Sequence, residues 1–187
     1  MTEQKNEERP ETPFIIGIGA SAGGLEALQQ FFQHMPSNSG LCFVVVQHLS
    51  PDYKSLMADI LGKHTEMQVK QAENEMAIKP DTVYLIPPKN NMTLKDGKLF
   101  LTEFVHGMLN HPIDVFFTSL AEEQKERAIA VVMSGTGSDG TSGVKAVKEH
   151  GGLVIIQNPE TAKFDGMPRS AINTGLADFI LSPDEIV

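Results

Sequence analysis

Cysteine is almost missing from this sequence. Cys42 is the single one in 187 residues, which excludes an internal disulfide and a cysteine-built metal cluster. Its setting, LCFVVV, gives it the role of a small buried hydrophobe. Long apolar runs are missing too, and none approaches the ~18–20 residues needed to cross a bilayer. The first dozen residues, MTEQKNEERPET, contain no apolar signal-peptide core. They read as a disordered lead-in, residues 1–12, ahead of one domain at 13–187. Basic residues are in deficit, 15 Lys and Arg against 24 Asp and Glu, for a net charge of −9. That balance argues against a nucleic-acid partner, whose phosphates call for a basic surface, and is read as serving solubility. The expectation is a cytoplasmic domain with no direct membrane insertion.

What is present is an alternation of short apolar runs with amphipathic stretches, the pattern of an α/β protein. FIIGIG (14–19), LCFVVVQ (41–47), AIAVVMS (128–134) and LVIIQ (153–157) read as strands. Their unbroken hydrophobicity suits a parallel sheet buried on both faces. Shorter strands are expected near MQVKQA, at TVYLIPP (82–88) and at ADFIL. Helices are expected over 23–34, 55–63, 113–120 and 141–150, with a short one opening at Pro168. NMTLKDGKLFLTE is a hairpin whose Asp96-Gly97 turn sets Leu94 opposite Leu99 and Met92 opposite Leu101. The predicted fold is a three-layer α/β/α domain. Its sheet is mostly parallel, doubly wound and Rossmann-like, with the hairpin as an antiparallel appendage at a sheet edge.

The stretch FIIGIGASAGGLEAL fits two chemistries at once. Gly17, Gly19 and Ala22 match the dinucleotide fingerprint G-x-G-x-x-G/A. Gly19, Ser21 and Gly23 match the nucleophile-elbow pattern G-x-S-x-G. A dinucleotide site also needs an acidic residue at the end of the second strand to hold the ribose. That strand ends in Gln47-His48, and the next carboxylate is Asp52, beyond a proline. Nucleotide binding therefore fails at its diagnostic position.

The hydrolase reading has its partners. Loops after parallel strands open on one edge of the sheet, and neighbouring strands lie about 4.8 Å apart. His48 follows the second strand as Ser21 follows the first. Asp139 lies in MSGTGSDGTSG, again between a buried strand and a helix. That loop is not a phosphate loop, because Thr141 and Ser142 stand where the required lysine would be. A hydroxyl, an imidazole and a carboxylate at one edge suit a nucleophile, a general base and an orienting acid. Their order, Ser…His…Asp, differs from the Ser…Asp…His of the α/β-hydrolases. His111 and Asp114, one helical turn apart, are read as solvent-facing groups at a helix start rather than as metal ligands.

In GIGASAGGLEAL, VVVQHLSPD, VYLIPPKNNMTL, HPIDVFFTSLAE, VVMSGTGSDGTSGVKAVKEHGG and FDGMPRSAI the chain resembles the CheB family, the protein-glutamate methylesterases of bacterial chemotaxis. The resemblance spans about Phe14 to Leu181. It implies Ser21 as nucleophile, His48 as base, Asp139 as orienter and the Thr136 backbone N–H as an oxyanion donor. Arg169 and Met167 become candidate substrate contacts. The implied reaction is hydrolysis of glutamyl methyl esters on chemoreceptor helices, releasing methanol, with glutamine deamidation as a further activity. No cofactor and no metal is called for. The alternative is a non-catalytic docking module for receptor helices or a methyltransferase. Ala22 stands where the family often has Thr, and Gly135-Thr136-Gly137 where it typically has Gly-Met-Gly. The reading expects a domain without the phosphorylatable receiver that precedes it in typical members. The arrangement resembles the esterase module of larger fusions with a CheR-type methyltransferase.

Overall fold

The structure, a computed structural model, describes residues 13–47, 56–105, 107 and 109–187. Two sheets are present among these residues. The larger is built from β1 (Ile15–Ala20), β2 (Cys42–Gln47), β3 (Gln68–Gln71), β5 (Thr82–Leu85), β8 (Ile129–Val132), β9 (Leu153–Gln157) and β10 (Phe179–Leu181). Its strand order is β10-β9-β8-β1-β2-β5-β3, and every pairing is parallel. The smaller sheet is antiparallel, with β7 (Lys98–Glu103) between β4 (Met76–Ala77) and β6 (Asn90–Lys95). Five α-helices accompany them: α1 (Gly24–His34), α2 (Leu56–Leu61), α3 (Pro112–Gln124), α4 (Thr141–Glu149) and α5 (Gly166–Ile172).

The apolar runs that identify the central strands supply both cores at once, because successive side chains of a strand point to opposite faces. In β2, Phe43 and Val45 pack with Phe31 and Phe32 of α1 and with Leu61 of α2. Cys42, Val44 and Val46 face the other way, toward the layer of α3, α4 and α5. Cys42 is fully buried, and desolvation pushes its thiol up to about 12. It is the inert small hydrophobe that its sequence context calls for.

The hairpin has the register expected of its Asp-Gly turn: Leu94 pairs with Leu99 and Met92 with Leu101. Both turn residues have positive φ, as a two-residue turn of this kind requires. Its position is a correction. It does not extend an edge of the main sheet but takes up the two-residue strand β4 and lies against α3. Ser119 of α3 accepts the Leu94 N–H at 3.0 Å, and Glu123 accepts that of Gly97 at 3.1 Å. The reason is apolar area: Met92, Leu94 and Leu99 are buried in the same core as Phe116, Phe117 and Leu120. Each large side chain buried there contributes on the order of 1.5–3 kcal/mol, which outweighs what an edge pairing offers.

α3 is thus enclosed between the hairpin and β1, and its approach to β1 explains the glycines of the opening motif. A Cβ on Gly17 would sit 3.0 Å from Phe116 and Leu120, and one on Gly19 would sit 2.5 Å from Ile113 Cγ2. The volume that a dinucleotide would need over Gly19 is filled by the first turn of α3. Gly19→Ala should therefore cost about 1–3 kcal/mol through overpacking, measured by chemical denaturation. Adding Ile113→Ala should make the double variant more stable than the sum of the two single losses predicts.

Candidate active site

The sheet reverses its winding at β1. The chain leaves β1 through α1 to β2 on one side, while β8 pairs with β1 on the other. Loops leaving the carboxyl ends of strands diverge at such a point and open a crevice. The Ser21 turn leaves β1 there, and the glycine-rich segment 133–140 leaves β8 beside it. Gly19 stands in register with Val132, and Ala20 with Gln47, the last residue of β2. His48, the next residue in the chain, lies outside the described residues, as do His106 and Met108.

Ser21 is half-buried. Its N–H donates to the Ser134 carbonyl at 2.9 Å, and its own carbonyl accepts from Gly24 N–H at 2.9 Å as α1 begins. The glycine-rich segment lies directly against it: a Cβ on Gly135 would be 2.9 Å from Ser21 Cβ and would overlap the Met167 sulfur. Only a glycine lets the two turns meet. Beyond Gly135 the segment turns outward, with Thr136, Gly137 and Ser138 exposed. Among the described residues no acceptor takes the Thr136 N–H.

Asp139 returns to the interior, with 6% of its surface exposed. Its carboxylate accepts from three backbone N–H groups: Asp114 at 2.9 Å, Ile113 at 3.1 Å and Gly140 at 2.9 Å. Two of these are amides of the first turn of α3, which have no partner within their own helix. Asp139 therefore caps α3 from a distant part of the chain, at the end where the helix dipole favours negative charge. It does not cap α4, the helix that follows it.

His111 and Asp114, expected to face solvent, turn toward this carboxylate instead. His111 Nδ1 lies 3.8 Å from Asp139 Oδ1, and Asp114 accepts the Gly143 N–H at 2.8 Å. Burial raises the Asp114 carboxyl above its ordinary value and the Asp139 charge adds to this, while the Gly143 N–H opposes it. Ligand atoms of His111, Asp114 and Asp139 fall within 4.8 Å of one another. The two carboxylates are nonetheless directed at backbone N–H groups, which is helix-end chemistry rather than a coordination sphere. The sequence pattern places Asp114 on α3, but nothing local reveals that Gly143 of α4 turns it inward.

The two substrate candidates on α5 fare differently. Met167 is 1% exposed and lies under Gly135, with its N–H donating to the Gly135 carbonyl at 2.9 Å. Met167 thus packs beneath the loop, against Gly135. Arg169 is exposed on α5 and donates to Asp165 at 2.5 Å. The Asp165 carboxyl lies below its ordinary value, first because of that hydrogen bond. A separate apolar cavity of about 510 Å³, lined by Ile16, Leu41, Ile129 and Leu153 among others, lies at the opposite, amino-terminal end of the strands. It takes no part in this site. No helix among the described residues is long and apolar enough to cross a membrane.

Comparison with known proteins agrees with this architecture. The family described as CheB methylesterase matches residues 16–187. A putative protein-glutamate methylesterase/protein-glutamine glutaminase of Leptospira interrogans is 36% identical over 175 residues, covering 91% of this chain and 90% of that protein. The protein-glutamate methylesterase/protein-glutamine glutaminase of Thermotoga maritima is 37% identical over 172 residues, and the match covers 50% of its length. An uncharacterised 104.1 kDa protein of Rhodobacter capsulatus is 52% identical over 130 residues, only 14% of its length. The chain thus spans a fraction of several larger relatives. The crystal structure of the Thermotoga maritima CheB methylesterase catalytic domain superposes with a TM-score of 0.85 at 35% identity, covering 93% of this chain and 95% of that one. By sequence over nearly its whole length and by fold, this chain belongs to the CheB methylesterase family.

Proposed function

We propose that the chain is a serine hydrolase that demethylates glutamyl methyl esters, with Ser21 as nucleophile, His48 as general base and Asp139 as the orienting carboxylate. The observation that carries this reading is the meeting of two turns at the β1/β8 crevice. It brings a half-buried serine against a glycine-rich loop that ends in a buried, backbone-held carboxylate. His48 enters from sequence: it directly follows Gln47, which stands opposite Ala20 in the β1–β2 ladder. Family membership supports an ester-hydrolysing role over a purely docking one.

In this scheme His48 takes the Ser21 proton as Oγ attacks the ester carbonyl. The new oxyanion is held by the Thr136 N–H, a preorganised dipole at the mouth of the crevice. His48 returns the proton to the departing methoxide, releasing methanol and leaving an acyl group on Ser21. Water, deprotonated by His48, then attacks the acyl carbonyl; the bond to Ser21 Oγ breaks as His48 returns the proton to it, which frees the glutamate carboxylate and restores the serine. Asp139 holds the imidazole in the productive tautomer and stabilises its charged form. Arg169 precedes Ser170, whose hydroxyl donates to the Gly137 carbonyl of the loop at 3.1 Å, and is the candidate contact for a substrate carboxylate. No step calls for a metal or an organic cofactor. By the resemblance to the chemotaxis methylesterases the substrates are methylated chemoreceptor helices, and the relatives' names add protein glutamine side chains as a second class. A CheR-type methyltransferase, in the same or another chain, would supply the ester. The domain would occupy residues 13–187 and work in the cytoplasm.

Methanol release from methylated chemoreceptor membranes tests the reading. Ser21→Ala and His48→Ala should each lose roughly 10⁴-fold or more in kcat, and a fluorophosphonate should add to Ser21 of the native chain. Release that survives Ser21→Ala would overturn the assignment. Asp139→Ala should fail in two separable ways. Activity should fall by orders of magnitude, and leaving the α3 amides without their acceptor should cost about 1–3 kcal/mol in a denaturation titration.

A further inference from the structure

Ser134 stands two residues before Thr136 in the glycine-rich segment, and it bonds to both Ser21 and Ala22. Its carbonyl accepts the Ser21 N–H at 2.9 Å. Its hydroxyl donates to the Ala22 carbonyl at 2.8 Å and accepts the Phe164 N–H at 3.1 Å. Ser134 is fully buried. Its own N–H donates at 2.8 Å to the side-chain carbonyl of Gln157, itself 1% exposed at the end of β9. Gln157 Nε2 continues to Thr161 Oγ1 at 3.3 Å. One serine therefore ties the turn after β1, the loop after β8 and the segment entering α5, and a glutamine of β9 holds that serine in place.

Taking Ser21 as the nucleophile, we propose that Ser134 is a positioning residue: it clasps the Ser21–Ala22 turn and so fixes the nucleophile relative to the Thr136 N–H two residues away. The pattern is more specific than core satisfaction requires. The hydroxyl pins the carbonyl of Ala22, the residue after Ser21, while the carbonyl of the same serine takes the N–H of Ser21 itself. The Ser21 N–H and the Ala22 carbonyl are thus both held by the strand end from which the oxyanion loop departs, while the Ser21 carbonyl between them takes the Gly24 N–H. The room is tight as well, since a Cβ on Gly23 would lie 2.8 Å from Ser134 Oγ. The first N–H beyond β8, that of Met133, donates to the Gly19 carbonyl, and Gln157 supplies the acceptor for the second, where the β8–β9 ladder has ended at Val132 paired with Ile156.

The expected signature is loss of rate without loss of binding. Small displacements of a reacting group cost up to about 10²-fold. Ser134→Ala should lower kcat for methyl-ester hydrolysis by about 10–10²-fold with KM nearly unchanged, and slow fluorophosphonate labelling of Ser21 to match. Ser134→Thr, which keeps the hydroxyl, should restore most of both rates. Gln157→Met, which keeps the shape and removes the acceptor, should slow both less than Ser134→Ala does. Because the two act through one clasp, the double variant should lose less than the product of the single effects. Far-ultraviolet circular dichroism and thermal melts select folded variants, so that rates are compared among native-like chains. A folded Ser134→Ala with wild-type rates would overturn the proposal, as would a folded Ser134→Thr as slow as Ser134→Ala. Should the native chain label at Ser21 yet release no methanol, the substrate reading fails while labelling rates still judge the clasp. Absence of Ser21 labelling in the native chain would end both.

Discussion

A single buried carboxylate couples the fold of this protein to its site. Asp139 lies at the end of a glycine-rich loop and accepts the first-turn amides of α3, a helix whose start precedes it by 27 residues, from Pro112 to Asp139. Those amides have no partner in their own helix, and α3 is enclosed by the sheet on one side and the hairpin on the other. If Asp139 moved, α3 would have to start elsewhere. If α3 moved, the space over Gly17 and Gly19 would open. The same contact that positions the carboxylate also closes the sheet face above β1, so site geometry and core packing are not independent quantities here.

The glycines follow from that constraint. In a dinucleotide-binding protein, glycine at this turn lets a pyrophosphate approach the backbone. Here the glycines of β1 admit a helix, and Gly143 of α4 likewise admits Phe117, whose Cβ would be 2.5 Å from an added methyl group. One local sequence solves two different steric problems, and what distinguishes them is the residue that comes to rest above it. Ile113 occupies that position because Pro112 starts α3 there and Asp139 holds the start in place.

Much of this was legible in the sequence wherever the governing interaction is local or periodic. Unbroken apolar runs mark β1, β2, β8 and β9 because a parallel strand buried on both faces has no polar side to display. The Asp-Gly turn sets the hairpin register because backbone geometry alone decides it. Legibility ends where partners lie far apart in the chain. The two-residue strand β4 is too short to carry a pattern, and the hairpin's place on α3 depends on apolar area contributed by another element. Asp114 looks like a solvent-facing group at a helix start until Gly143 is brought to it. Met167 looks available in GMPRSA until Gly135 is laid on top of it. Ser134 and Gln157 carry no motif at all; their meeting is a product of the β8–β9 register.

The way Asp139 is held also bears on how the proposed triad would behave. Three of its described partners are backbone N–H groups, fixed in direction by the folds of α3 and the loop. Such dipoles do not change protonation state, and burial keeps them largely free of ionic screening. The Asp114 carboxyl next to it is raised above its ordinary value, first by burial and further by the nearby Asp139 charge. An orienting acid works through direction, and the direction of this carboxylate is set by the first turn of α3 and by the loop itself rather than by a long, mobile lysine or arginine side chain. The end of a helix therefore supplies the fixed frame in which a triad's carboxylate has to stand.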